Sequence, residues 1–399
     1  MAAGHLPENL LPVAIAGGGI GGLTAAIALA RHGIASHVHE RRESFSEDGA
    51  GIQIGPNGTR ILRDLGVADA LLPNISAPES IVVHDGQTGR TITELPLGSW
   101  IAERHGAPYW TVQRSHLHAA LLKTARGVPL ITLTTGSAIT AFETSADRVA
   151  AIDAGGSRHS ALALIAADGL WSALRPAIAS PGAPRPVGKS AYRTLISSDN
   201  LPAGVKTNSV HVWLSPGSHA VHYPVSAGRE IAVVVIVNDA QSVQNWSTPA
   251  PRGTLLNLTR DFAHELKTLI ASAEAWRMWS LHTLPPVARW SNGRTTLLGD
   301  AAHPILPFLA QGGVLALEDS VVLARLMSAY PTNIPQALRL YQSARMIRTA
   351  RVAASSTSNG RAYQLGGATA AARNGLLKSI PGAIVMRRYD WLYGWRDAS

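Results

Sequence analysis

The sequence predicts an α/β protein in which two layers are interleaved along the chain and helices close the C-terminal end. Three observations carry this. An apolar strand runs into a glycine-dense turn and a helix over residues 13–32. A second strand, turn and helix of the same kind returns only at residues 295–327. Between them, residues 210–237 read as successive strands parted by Ser, Pro and Gly turns, the pattern of a β layer. With 399 residues, 46% of them hydrophobic and only 15% charged, the chain has length for two or three domains and too much apolar surface to stay disordered.

Taken in order, Val13 to Ala16 is a buried strand, Gly17 to Gly22 a turn, and Leu23 to His32 a helix stopped by Gly33 in the C-cap position. Ala35 to His39 is the next strand and ends at Glu40; Tyr109 to Val112 and Ala161 to Ala167 are further strands. Val210 to Leu214, Ala220 to Pro224 and Glu230 to Val237 form the β layer, followed by one helix from Leu255 to Ala271. Thr295 to Leu298 is a strand running into Gly299-Asp300, Val314 to Met327 the helix after a Pro- and Gly-punctuated loop, and Gln336 to Arg373 a further helical stretch. The expected domains are a cofactor layer of residues 1–80, 107–185 and 293–345, a substrate β layer of 81–106 and 186–292, and a C-terminal helical segment of 346–399.

Composition excludes several kinds of chemistry. Zero cysteines rule out disulfides, a thiolate nucleophile and Cys-ligated metal, so redox chemistry has to come from a bound cofactor, and no metal site is expected. The net charge of +9 is carried almost wholly by arginine, spread without long basic runs, which suits small phosphates and carboxylates better than nucleic acid. Leu10 to Ala30 is uncharged, but five glycines in the six residues from Gly17 to Gly22 argue against a membrane span. A cytoplasmic location is expected.

Gly17, Gly19 and Gly22 fill the G-x-G-x-x-G pattern between a strand and a helix. The pattern serves a tight turn, close backbone approach to a pyrophosphate, and packing of helix on strand. The helix N-terminus then offers unpaired N–H groups to phosphate. Glu40, 18 residues beyond Gly22 at the end of the next strand, can accept both hydroxyls of a ribose, which favours FAD or NAD over a 2′-phosphorylated nucleotide. This is a Rossmann-like unit, and it occurs once.

Two more strings decide between the nucleotides: Asp168-Gly169-Leu170-Trp171-Ser172-Ala173-Leu174-Arg175, and Gly299-Asp300-Ala301-Ala302-His303-Pro304. With GAGIQIGPN at 49–57, QRSHLHAAL at 113–121, HYPVSAGR at 222–229, LAQGGVLALEDSVVLARL at 309–326 and RYDWLYGWR at 388–396, the chain resembles the single-component class A flavoprotein aromatic hydroxylases. It is most similar to their salicylate hydroxylase and 3-hydroxybenzoate 6-hydroxylase branch. The resemblance implies a p-hydroxybenzoate hydroxylase-like fold with a Rossmann-like FAD-binding domain. Asp300 and Gly299 would meet the ribityl or pyrophosphate region, and Arg114 would contact the flavin. Asp168, Gly169 and Arg175 would serve both FAD and the nicotinamide donor. Gln311, Gly312 and Gly313 open a helix whose N-terminus would face the flavin N1–C2=O edge. Simpler readings stay open: Asp168 as a helix cap, Arg175 as a surface ion pair, and Glu318-Asp319 as cap and packing partners. His303 is expected to contact backbone near the flavin.

The implied reaction uses NADH or NADPH as a visiting co-substrate and O2, passing through a flavin C4a-hydroperoxide whose electrophilic oxygen needs an electron-rich ring. A small phenolic or heteroaromatic acid meets that need by losing its phenol proton, with or without expulsion of its carboxylate. His219 and Tyr223, four apart in the β layer, match the His and Tyr of the 3-hydroxybenzoate branch and should share one face; His222 should face the other side. His219 is the expected base, while Tyr223 and Gln311 are expected to hold substrate oxygens. The alternating Tyr389, Trp391, Tyr393 and Trp395 should pack on the core or on a second copy in a homodimer. Two other functions remain: a flavin-binding regulator without turnover, and a flavoprotein epoxidase or dehydrogenase of a non-aromatic substrate.

Overall fold

The structure is a computed structural model that describes residues 11–397 except 47–48, 180–181, 203–204, 206–207, 240–247 and 286. The outer ends of the expected terminal segments, residues 1–10 and 398–399, lie outside the described residues. Val13–Ala16 sits inside a six-stranded sheet in the order 291–292, 295–297, 164–166, 13–16, 36–39 and 131–134. The last five strands are parallel, with Ala14 in register with both Leu164 and His37. A parallel sheet covered on both faces needs continuous apolar strands, which is why Val13 to Ala16 reads as an unbroken run and is buried throughout. Helix Ile20–Arg31 packs against helices Gly312–Ala329 and Arg114–Arg126, so residues nearly three hundred positions apart close one layer.

The first helix begins at Ile20 rather than Leu23, drawing Gly21 and Gly22 into its first turn. Glycine costs about 1 kcal/mol in a helix, but close packing demands it here. A Cβ on Gly22 would lie 1.9 Å from the Gly17 carbonyl oxygen, and one on Gly21 would lie 2.8 Å from Leu298. The uncharged N-terminal stretch is thus strand, turn and helix, and among the described residues no helix is long and apolar enough to cross a membrane.

The second layer is an eight-stranded sheet in the order 248–250, 276–283, 185–197, 230–238, 218–225, 209–215, 80–85 and 91–96. It is antiparallel except where Ser209–Ser215 runs parallel to Ser80–Asp85. One face carries Val212, Leu214, Tyr223 and Val225 and packs against Leu309, Leu315 and the C-terminal helices; the other carries Trp213, Ala220, Val233 and Val235 under helix His264–Ser272. His222 points to this second face, where it stacks on His211 at 4.5 Å, and His84 lies 5.2 Å beyond His211.

Two expected helices are each divided. Residues 255–271 fall into Arg252–Leu258 and His264–Ser272, because the Ala263 N–H turns away to the Gly86 carbonyl. The stretch 336–373 breaks between Ile334–Tyr363 and Gly367–Ser379, where Gly367 takes φ +55°. A three-stranded antiparallel sheet of 139–144, 149–153 and 158–161 has no counterpart in the sequence reading. Its first strand is mostly exposed, and a register shift between Ile139 and Ala141 breaks the apolar alternation that marks strands.

Burial leaves several histidines neutral. Burial, then His37 and His159, push His39 down to about 3, and burial, then Lys189, push His219 to about 3. His222 is driven well below its usual range by burial and then by His211 and His84. The unfolded chain takes up protons at these rings below about pH 6.5 while the folded protein does not. Stability is therefore full above that pH and falls as the pH drops toward 4, by about 1.4 kcal/mol per pH unit for each such ring. Urea midpoints between neutral pH and about pH 5 check this; a midpoint that stays constant over that range contradicts it.

Candidate active site

The N-terminal strand, the glycine turn and the first helix make an anion cradle. Gly17 has φ +107°, and a Cβ on it would lie 2.5 Å from the Ala167 carbonyl oxygen, so this turn and the end of strand Leu164–Ala166 approach as closely as backbone allows. The helix starts after Gly19 with no side-chain cap and no acid in its first turn, which leaves its N–H groups for phosphate. Glu40 turns its carboxylate to the same place, accepting the Gly18 N–H at 2.8 Å and the Arg42 N–H at 2.9 Å. His118 donates to the Gly18 carbonyl at 2.8 Å and ties helix Arg114–Arg126 to the turn.

Asp168 accepts the Ala173 N–H at 2.9 Å through one oxygen, and its other oxygen is buried without a protein partner. Burial raises its pKa despite hydrogen bonds from Ser172 and nearby backbone. A carboxylate in that state needs a further donor. Arg175 is not a surface ion pair: it is 2% exposed and donates to the carbonyls of Ala301 at 2.7 Å and Ala302 at 3.1 Å. It clamps the Asp168 segment to the turn that carries Asp300. Gly299 holds φ +61° in that turn.

The residues present fit FAD. An uncapped helix for the pyrophosphate, an acid at a strand end for the ribose, and an unpartnered buried carboxylate oxygen at Asp168 are the donors and acceptors a ribityl pyrophosphate chain requires. Helix Gly312–Ala329 likewise begins at Gln311 without a side-chain cap or an early acid, open to an anionic ring edge. A Cβ on Gly313 would lie 2.7 Å from Ile52.

Gln311 is 1% exposed, and its Oε1 accepts from Asn57 Nδ2 at 3.0 Å. The same Asn57 amide donates to Glu318 at 2.8 Å. An amide held by its oxygen presents its NH2 outward, so Gln311 is set as a donor. Glu318 and Asp319 are neither caps nor simple packing partners. Arg345 binds both, at 2.8 and 2.7 Å, and Arg348 adds a second contact to Glu318 at 2.8 Å. His303 meets Asp319 at 2.5 Å rather than contacting backbone, and the Gly299 N–H donates to the same carboxylate at 3.1 Å. Burial raises the Asp319 pKa, but His303 and Arg345 outweigh it and hold the group at about 2. Trp395 lies over Arg345 and Trp391 over Arg348, at 5.2 and 5.3 Å, and Tyr393 packs 6.1 Å from Tyr109, so the C-terminal aromatics join the core.

On the eight-stranded sheet, strand Ser218–Val225 carries His219 and Tyr223 on one face, about 13 Å apart along the backbone. Phe308, three residues before Gln311, lies 5.4 Å from the His219 ring, and Tyr363 lies 5.3 Å from it. Tyr223 abuts Gly51, where a Cβ would come within 2.5 Å of its ring. Burial pushes the Tyr223 hydroxyl up to about 12, against Arg193 and a hydrogen bond from Gln53, so it stays protonated. Asn57, Arg345 and Arg348 escaped the sequence reading. Their one signal was the pair Glu318-Asp319 on a helix otherwise almost free of charge.

Gly19 sits at φ −77°, ψ −172°, a conformation open to any residue, so the backbone itself does not demand glycine there. Gly19→Val is expected to fold with unchanged circular dichroism yet hold flavin at least tenfold more weakly; a yellow, saturated mutant protein contradicts the cradle.

The FAD binding domain family matches residues 11–356. The chain is 35% identical to 3-hydroxybenzoate 6-hydroxylase of Polaromonas naphthalenivorans over 388 residues, 96% of each chain. It is 36% identical to a 3-amino-4-hydroxybenzoate 2-monooxygenase of Streptomyces platensis over 396 residues, 99% of this chain and 98% of the other. Among solved structures, Klebsiella pneumoniae HpxO complexed with FAD and uric acid aligns with a TM-score of 0.83 at 28% identity, covering 96% of this chain and 97% of that one. Matched by that family over most of its length, and by relatives above 30% identity over nearly all of it, this protein belongs to the FAD-binding flavoprotein hydroxylases.

Proposed function

We propose that this protein is an FAD-dependent monooxygenase that hydroxylates the ring of a phenolic or heteroaromatic acid, with NADH or NADPH as electron donor and O2 as oxygen source. The observation that carries this is a neutral imidazole and a neutral phenol, His219 and Tyr223, on one sheet face and four residues apart, the first of them against Phe308 of the loop that leads to Gln311. Hydroxybenzoates are the favoured class, since two of the relatives are named for them. Bound FAD, held by Gly17, Gly19, Gly22, Glu40, Arg114, Asp168 and Asp300, supplies electron storage and oxygen activation.

The chain's own residues prepare the ring. An aromatic ring gains electron density when its phenol becomes a phenolate, and His219 is the group placed to favour that form. A neutral imidazole does so either by taking the proton or by donating N–H to the phenolate oxygen. Tyr223, still protonated, donates to the substrate carboxylate, and Gln311 presents its NH2 to an oxygen. Leu309, Val221, Tyr109 and Tyr393 belong to the apolar cluster around Tyr223 and exclude water. In this reading the partners are a small aromatic acid, O2, a visiting nicotinamide nucleotide and a second copy of the chain, and the location is cytoplasmic. A regulator without turnover has no use for this pairing.

Substrate-stimulated NAD(P)H oxidation across hydroxybenzoates and N-heterocyclic acids, with a product heavier by one oxygen atom, tests the proposal. An FAD-saturated protein that no member of the panel stimulates overturns it. His219→Asn is expected to keep FAD, to lose hydroxylation by about 10²-fold or more, and to divert NAD(P)H electrons to hydrogen peroxide; unchanged coupling removes His219 from the mechanism.

A further inference from the structure

The break between helices Ile334–Tyr363 and Gly367–Ser379 sits against the end of the strand that carries His219. The Gly217 N–H donates to the Gln364 carbonyl at 3.1 Å, which fixes the backbone of this break to the turn before Ser218–Val225. The Gln364 side chain lies between two groups. Lys189 donates to its Oε1 and also to Asn238 Oδ1 at 2.5 Å, while its Nε2 lies 3.5 Å from His219 Nδ1.

We infer that Gln364, oriented by Lys189, is a positioning residue that holds His219 as the Nε2–H tautomer, so that the ring serves a substrate as hydrogen-bond donor to a phenolate oxygen. This rests on the hydroxylase reading for its substrate and on the protein alone for its tautomer. An ammonium only donates, so the amide oxygen faces Lys189 and the NH2 faces His219. An amide N–H only donates, so Nδ1 carries the lone pair. A neutral imidazole has one proton, which then sits on Nε2, the nitrogen left for the substrate. Lys189 is the cation facing His219 across the sheet, and Tyr363 is the titratable group facing it from helix Ile334–Tyr363, where burial raises its hydroxyl. Among the described residues no carboxylate is paired with the His219 ring, so the imidazolium finds no counter-charge there.

The proton balance follows. The phenol O–H bond breaks as the substrate enters, the electron pair stays on oxygen, the proton goes to bulk water, and the Nε2–H of His219 bonds the resulting phenolate. Binding therefore releases one proton from a phenol that is neutral in solution, and KM falls as the pH rises toward the phenol's own pKa while kcat stays level.

Long-range ¹H–¹⁵N spectra of the full-length, histidine-labelled protein read the tautomer directly, with His219 assigned by its loss in His219→Asn. The expected result is a protonated Nε2 and an unprotonated Nδ1. Gln364→Glu puts a carboxylate between Lys189 and Nδ1, which moves the ring proton from Nε2 to Nδ1, accepts a hydrogen bond from that Nδ1–H and inverts the two signals. It should cost about tenfold or more in kcat/KM and abolish the fall of KM with pH. Lys189→Met frees the amide to turn and yields a mixture of tautomers, which serves as the second test should Gln364→Glu not fold. A protonated Nδ1 in the unaltered protein, or signals indifferent to both substitutions, overturns the inference. Because the spectra need no substrate, they fail or hold separately from the hydroxylase reading, which product mass decides.

Discussion

The loop from Gly299 to Gln311 is shaped from behind, by a lattice of buried charges. Glu318 and Asp319 leave the apolar helix Gly312–Ala329 on its inner side and are fully buried with Arg345, while Arg348 and His303 close on them from the half-buried margin. Taking such charges out of water is costly, and apolar groups of the same volume would stabilise the fold at least as well. What ion pairs supply instead is direction, since bidentate guanidinium contacts tolerate one geometry. Asp319 fixes the Gly299 N–H and His303, Glu318 fixes Asn57 and through it Gln311, and Arg348 reaches the Trp391 carbonyl at 2.8 Å. Three segments distant in sequence are thereby set against one another, and both ends of the loop from Gly299 to Gln311 are held.

That constraint explains where the backbone departs from ordinary geometry. Ala310 sits at φ +51° immediately before Gln311, a conformation a non-glycine residue adopts at some cost. It is held there because Phe308 is wedged against Gly360, where a Cβ would come within 2.4 Å, and because Ser356 donates to the Leu306 carbonyl at 2.5 Å. The cofactor side is likewise over-determined: Gly22 is pressed on Gly17, Gly17 on Ala167, and Arg175 on the carbonyls of Ala301 and Ala302. Each half of the cradle is fixed by the other.

Features with a local signature were legible in the sequence. The strand of Val13 to Ala16, the three strands from Ser209 to Asn238, and the opposite faces of His219 and His222 follow from period and parity, which neighbours cannot change. Helix ends were less legible, because Gly21, Gly22 and Gly367 act through packing and φ rather than propensity. Long-range polar partners were not legible at all. Nothing near Asn57 announces Gln311, and nothing near Lys189 announces Gln364, since each pair is joined only by the fold.

The two histidines of one strand show why burial alone does not define a site. His219 and His222 are almost equally buried, and both are held neutral. His222 lies in a stack with His211 and beside Trp213, where its ring fills volume under the helix layer. His219 has an amide at one nitrogen and aromatic rings of the cofactor-side loop and the following helix around it, so its second nitrogen is the one that can still be used. The difference is made by what each face of the sheet meets: a closed core on one side, and on the other a loop whose shape is fixed elsewhere, by the ion pairs of Glu318 and Asp319.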